Sequence, residues 1–242
     1  MQNRQELHRT VNVPANGSIK LTYVAAVGEN PTMAISDAVD NVHLGSRYTT
    51  NTNATNPTTY YWTLSNGNDA AKDVKVKITV DKTDATLKLG DNDVTFDTTK
   101  ETPETRKVVA FTAEKAGEYK ITKLDKDGKD VTVEDSLILA KGQKYVRTVD
   151  SDAEVNEGKK IVVKVSLVQE ATELELGKQF RGTGVSTLYV FTATTGGEYA
   201  VVDEEGKTIA GSSKTLAAGE SYMFTGEIST SRLVSLERTD NK

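Results

Sequence analysis

The residues of this chain that could do chemistry are few, and their spacing narrows them further. Asp125-Lys-Asp-Gly-Lys-Asp130 resembles a calcium loop. An EF-hand loop, however, needs oxygen ligands at its first, third and fifth positions, Gly at the sixth and Glu at the twelfth. Here Gly128 stands fourth and two lysines crowd the ion, so the stretch reads as a charged hairpin tip. Asp150-Ser-Asp-Ala-Glu154 with Glu157 is a second acidic cluster, read as a solvated loop rather than a metal site. His8 and His43 are the only histidines, far apart in sequence, and no Gly-x-Ser-x-Gly elbow accompanies them. There is no cysteine, which removes thiolate metal sites, disulfides and cysteine nucleophiles. The expectation is a protein that is not an enzyme and holds no cofactor or metal.

Tyr60, Tyr61 and Trp62 form the one aromatic cluster. Neighbouring strand residues face opposite ways, so Tyr60 and Trp62 share a face and Tyr61 takes the other. The first pair reads as core. Were it outside, it would offer a surface for stacking on sugar rings or anchoring a protein partner.

The elements that must position these residues are repeated. Val108-Val-Ala-Phe-Thr-Ala-Glu-Lys-Ala-Gly-Glu-Tyr119 returns as Leu188-Tyr-Val-Phe-Thr-Ala-Thr-Thr-Gly-Gly-Glu-Tyr199, offset by 80. Leu139-Ala-Lys-Gly-Gln-Lys-Tyr145 returns as Leu216-Ala-Ala-Gly-Glu-Ser-Tyr222, offset by 77. Two blocks in the same order at nearly the same spacing mean two copies of one module. Phe111, Tyr119 and Tyr145, with their counterparts Phe191, Tyr199 and Tyr222, are the expected core anchors. Asp73-Val-Lys-Val-Lys-Ile-Thr-Val80 alternates with period two, as a half-buried strand does. Lys159–Val168 and Ser229–Arg238 are expected to close the later modules in the same way, with the Ile161-Val-Val run buried on both sides or bulged, and the loop over 97–107 is expected as an exposed excursion. Asp127-Gly128 and Glu205-Gly206 are placed as hairpin tips, where glycine supplies positive φ.

No stretch keeps a helical period. The reading is all-β: tandem small antiparallel β-sandwich modules, immunoglobulin-like or jelly-roll-like, over 1–80, 81–168 and 169–242. In the first module, Tyr60-Tyr-Trp-Thr is a candidate for a diverged Phe-Thr-Ala strand. A low-charge loop over 46–59 precedes it. Asn16-Gly-Ser18 and Asn53-Ala-Thr55 read as chance glycosylation matches.

The net charge of −5 is divided as +1, −2 and −4 over the three segments, without a basic cluster, so nucleic acid is not an expected partner. No apolar run is long enough to span a membrane as a helix. The polar start, Met1 to Thr10, lacks an apolar leader core. That suits either a protein used without export or one whose leader was replaced by an initiator Met.

The run Phe-Thr-Ala-x-x-x-Gly-Glu-Tyr followed by Leu-Ala-x-Gly-x-x-Tyr resembles the bacterial pre-peptidase C-terminal type of β-sandwich and, more loosely, other immunoglobulin-like bacterial modules. The resemblance covers about 81–237 in two copies. It implies accessory modules that bind, space or stabilise, with residues such as Phe111, Gly117 and Tyr119 shaping core and turns. Bacteriophage virions use similar sandwiches as capsid decorations, head fibres and tail ornaments. The expectation is a structural and adhesive virion protein, present in many copies or as a homo-oligomer. Its N-terminal domain would dock on a capsid or tail lattice, and glycans of the cell surface are further candidate partners. The alternatives are a bacterial cell-surface adhesin and a carbohydrate-binding module, both extracellular.

Overall fold

A computed structural model describes residues 4–49, 58–152 and 157–240. The described chain is all-β, with 21 strands and no helix, in tandem antiparallel sandwich modules. It divides into two compact units. The first holds Met1–Leu87, Asp93–Phe111 and Lys144–Ile161; the second holds Lys88–Asn92, Thr112–Gln143 and Val162–Lys242. The division therefore runs through the segment 81–168 rather than at its ends.

In the first unit, β1 (Arg4–Val13), β7 (Lys72–Asp81) and β3 (Thr32–Ile35) form one sheet in that order. A second sheet runs β2 (Gly17–Ala25), β6 (Thr58–Asn66), β4 (Val42–Leu44), with β5 (Tyr48–Thr49) also on β6. Period-two alternation puts Val74 and Val76 inward with Val11, Val13, Leu21, Val42, Trp62 and Leu64, which make one buried cluster. Buried Asn66 ties the sandwich together. Its Nδ2 donates to the carbonyls of Val13, Pro14 and Ala70, and its Oδ1 accepts from the Asn68 amide. A buried amide so completely used fixes one arrangement of three chain segments.

The repeat is visible strand by strand. In the earlier copy, β8 (Ala85–Leu87), β10 (Arg106–Thr112) and β13 (Lys144–Asp150) form a sheet of order β13-β10-β8. Its other strands, β9 (Gly90–Thr95), β11 (Gly117–Leu124), β12 (Asp130–Leu139) and β14 (Lys160–Glu170), run β12-β11-β14-β9. In the later copy the same two orders return. The first is β20-β17-β15, from Ser221–Glu227, Ser186–Thr192 and Thr172–Glu173. The second is β19-β18-β21-β16, from Lys214–Leu216, Gly197–Asp203, Leu233–Arg238 and Gln179–Arg181. Strands β8 and β15 run parallel to β10 and β17; the other registered pairs are antiparallel.

Turn chemistry is copied as well. Asp125 Oδ1 accepts from the amides of Asp127 and Lys129, and Asp203 Oδ1 accepts from those of Glu205 and Lys207. Gln143 Oε1 accepts from Ala140 N, and Glu220 Oε2 from Ala217 N. Tyr119 and Tyr199 each donate a hydroxyl hydrogen bond of 2.6 Å to the carbonyl four residues back, Lys115 and Thr195. Where the later hairpin is shortened, Ser212 Oγ takes over as partner of the Val201 amide.

Several expectations need correction. The closing strand of the later copy begins at Leu233, because Ser229–Arg232 is a turn in which Ser229 O accepts from Arg232 N. The Ile161-Val-Val run is buried at Ile161 and Val163 but only half-buried at Val162. The irregularity lies at Val168 instead, where the register against β11 slips between Leu167 and Gln169. The loop over 97–107 is tied to itself: Glu104 accepts from the Asp97 amide and from Lys100, and pairs with Lys107.

The diverged Phe-Thr-Ala strand is not β6. Strand β7 lies between β1 and β3 as β14 lies between β9 and β11, and β2 pairs with β6 as β17 pairs with β20. Register makes the match residue by residue. Tyr23 faces Tyr60 and Leu21 faces Trp62, as Phe191 faces Tyr222 and Tyr189 faces Phe224. The first module's version is therefore Leu21-Thr-Tyr-Val-Ala25, and Tyr60–Trp62 stands where the Tyr222 strand stands.

Candidate functional site

The aromatic cluster of β6 is split by the sheet. Trp62 is 3% exposed, within the core. Tyr60 is half-buried beside it at 6.4 Å between ring centroids. Arg47, whose Nη1 donates to Asn30 Oδ1 and to the Pro31 carbonyl, lies 4.5 Å over the Tyr60 ring. Tyr61 points outward and stacks on Tyr48 at 5.3 Å, with Lys20 Nζ 4.6 Å from its ring centre. The outer aromatic surface is thus Tyr48 with Tyr61, flanked by exposed Lys20 and Thr22. Tyr48 has no local sequence signal. It arrives through a two-residue strand whose register places it against Tyr61. Most of the loop expected over 46–59, and Asn53 with it, lies outside the described residues.

Of the expected core anchors, Phe111, Tyr119, Tyr145, Phe191 and Tyr199 are buried. Tyr222 is half-buried against the later copy's core, and its hydroxyl donates to the Gly211 carbonyl at 2.7 Å.

The titratable candidates are not brought together. Asp125 uses one carboxylate oxygen on its own turn. Asp150 pairs with Arg106 and Glu157 with Lys159, while Glu154 lies outside the described residues. His8 is exposed on β1, 3.4 Å from Glu6, and His43 is exposed on β4 in the other sheet. Among the described residues, no three His, Asp or Glu side chains gather as metal ligands would. No helix of the described residues is long and apolar enough to cross a membrane.

Sequence reasoning did not anticipate a contact that occurs twice. Strands β10 and β17 are buried on both faces. Inward go Val109 and Phe111, or Tyr189 and Phe191; outward go Val108 and Ala110, or Leu188 and Val190. With Val146 of β13, the first outward pair packs against Ala26 of the preceding module. With Met223 of β20, the second packs against Ala116, Ile138, Ala140 and Ala171. The offsets from Val108, Ala110 and Val146 to Leu188, Val190 and Met223 are those of the repeat itself. In each case a contributing residue comes from the turn that follows the matching strand, Ala26 after β2 and Ala116 after β10.

Backbone bonds seal both contacts. Val27 N donates to Lys144 O at 2.9 Å and Val146 N to Val27 O at 2.7 Å; Ala171 N donates to Ala116 O at 2.9 Å. Gly28, at φ +81, lies so close that a Cβ would strike the Val146 carbonyl oxygen. Glu29 orders this turn by accepting from Ala26 N and from the Tyr23 hydroxyl. Burial first, then the charge and hydrogen bond of Glu29, push the Tyr23 phenol up to about 12.

No family model, curated protein or solved structure matches this chain.

Proposed function

We propose that this chain is a non-enzymatic structural and adhesive protein, a virion component of the capsid-decoration, head-fibre or tail-ornament kind. In this reading its N-terminal module docks and its β-sandwich repeats are presented. One observation carries it: the same outward apolar face recurs in both copies and is used each time to seat the preceding segment. The repeated sequence encodes a connection between modules as well as a core, which is what a multi-module building element requires. Mass spectrometry and cryo-electron microscopy of native particles from the source test it. The expected result is this chain at fixed stoichiometry, with its N-terminal module against the lattice. Recovery only as free or wall-bound protein would refute it.

A second reading, adhesion to carbohydrate, is favoured by the outward Tyr48–Tyr61 stack with Tyr48 43% exposed. Glycan-array binding abolished by Tyr61→Ala would support it; no binding by the unaltered chain would remove it.

A further inference from the structure

In both repeats a short opening strand closes one side of the sandwich. Strand β8 runs parallel to β10 with Leu87 paired to Phe111, and Leu87 is 3% exposed. Strand β15 does the same beside β17, and the next residue, Leu174, donates its amide to Val190 O and packs on the core.

The first module has no such strand among its described residues. Strand β2, the equivalent of β10 and β17, has β6 on one side and, among the described residues, an open edge on the other. The residues that would supply the missing strand do not fold back. They continue along β7, with Arg4 opposite Asp81 and Leu7 opposite Ile78.

What is left is a groove of about 700 Å³ between β1 and β2, lined by Leu7, Val11, Ile19, Leu21, Met33 and Ile78. Leu7 is 41% exposed there although its strand position faces the core side. An open edge beside unfilled apolar surface is a template for strand addition. Lys20 borders the groove with its ammonium over Tyr61 on the outer face, and it is in no ion pair among the described residues.

We propose that an extended strand from a protein partner completes this module. It pairs in parallel with Leu21–Tyr23 and places a leucine-sized side chain where Leu87 and Leu174 sit in the repeats. Its flanking residues are acidic and face outward, to meet Lys20. The chain itself carries a sequence of this kind: Ala171-Thr-Glu-Leu-Glu-Leu-Gly177 around β15. The inference identifies the kind of partner for the docking module of the proposed function. Its test does not depend on where the protein resides.

The probe is a synthetic peptide of residues 171–177, titrated into the isotope-labelled full chain and followed by NMR. The expected result is shifts concentrated at the Leu21, Thr22 and Tyr23 amides and at the Leu7 and Met33 methyls. The same peptide with Leu174→Asp should bind at least about tenfold more weakly, as should the Leu7→Glu chain toward the original peptide. Leu7 is exposed enough for that variant to fold, and the peptide pair stands even if it does not. No response at β2 with millimolar peptide, a response elsewhere, or equal binding of both peptides would overturn the proposal. So would concentration-dependent self-association in sedimentation that protects the β2 amides, because it would give the groove to a second copy. Peptide binding without particle incorporation would leave this inference standing and refute only the virion assignment.

Discussion

Leu188→Ala is the perturbation that most directly tests the repeated contact. Leu188 is 3% exposed and points away from the later copy's core onto Ala116, Ile138 and Ala171. The substitution removes three carbons; at about 0.8 kcal/mol per buried methylene, roughly 2.4 kcal/mol of contact is lost. A cavity left behind would add to this. The native reporter is the Ala171 amide, whose hydrogen bond to Ala116 O lies across the contact. Hydrogen exchange should show its protection falling roughly 60-fold. The amides of β17 and β20 that bond within the sheet should keep their protection, because Tyr189 and Phe191 remain inward. Val108→Ala tests the earlier contact, with the Val27 and Val146 amides as reporters and an expected loss of about 1.6 kcal/mol. An unchanged Ala171 amide, or one that loses protection by the same factor as the whole of β17 and β20, would refute the view of a separable docking face.

Three further outcomes are expected. Lys100 first, then Lys107, hold the Glu104 carboxyl down at about 2 from 4.5. Its contribution to the order of the 97–107 loop should therefore be complete above pH 4.5 and fade as pH falls toward 2. A carboxyl-detected NMR titration with a Glu104 midpoint near 4.5 would contradict this. Tyr119→Phe and Tyr199→Phe should each cost about 1 kcal/mol in denaturant unfolding by removing one hydroxyl bond, with nearly additive effects in the double variant. Trp62→Ala should destabilise the first module by roughly 3–5 kcal/mol, whereas Tyr61→Ala should stay within about 1 kcal/mol. Equal losses from these neighbours would contradict their placement on opposite faces.

What the sequence disclosed follows from which positions the fold constrains from both sides. Val108–Thr112 and Leu188–Thr192 are buried on two faces, so nearly every residue is restricted and the copies remain recognisable. In β2 only the inward set Leu21, Tyr23 and Ala25 is restricted. Lys20, Thr22 and Val24 face solvent and have diverged, which hid this copy and left the aromatic run of β6 as the more conspicuous candidate. The Asp125 turn was legible because glycine and a preceding acid suffice to make it. The pairing of Tyr48 with Tyr61 was not, because a two-residue strand leaves no periodicity to read.

At the seating positions the outward face is aliphatic only where something covers it. In the two copies it is Val108, Ala110 and Val146, then Leu188, Val190 and Met223; at the equivalent positions the first module has Lys20, Thr22 and Tyr61. The seating surface obeys the same rule. Ala116, Ile138 and Ala140 give way in the later copy to Gly196, Thr215 and Ala217, all exposed. A chain that kept its apolar sheet face at an uncovered position would present an association-prone patch, and polar replacement there removes it. The groove between β1 and β2 departs from this rule, since Leu7 and its neighbours stay apolar with no strand of the described residues laid over them. Composition has been changed on the face and retained at the edge, which favours strand addition to the first module over stacking another sandwich on its face.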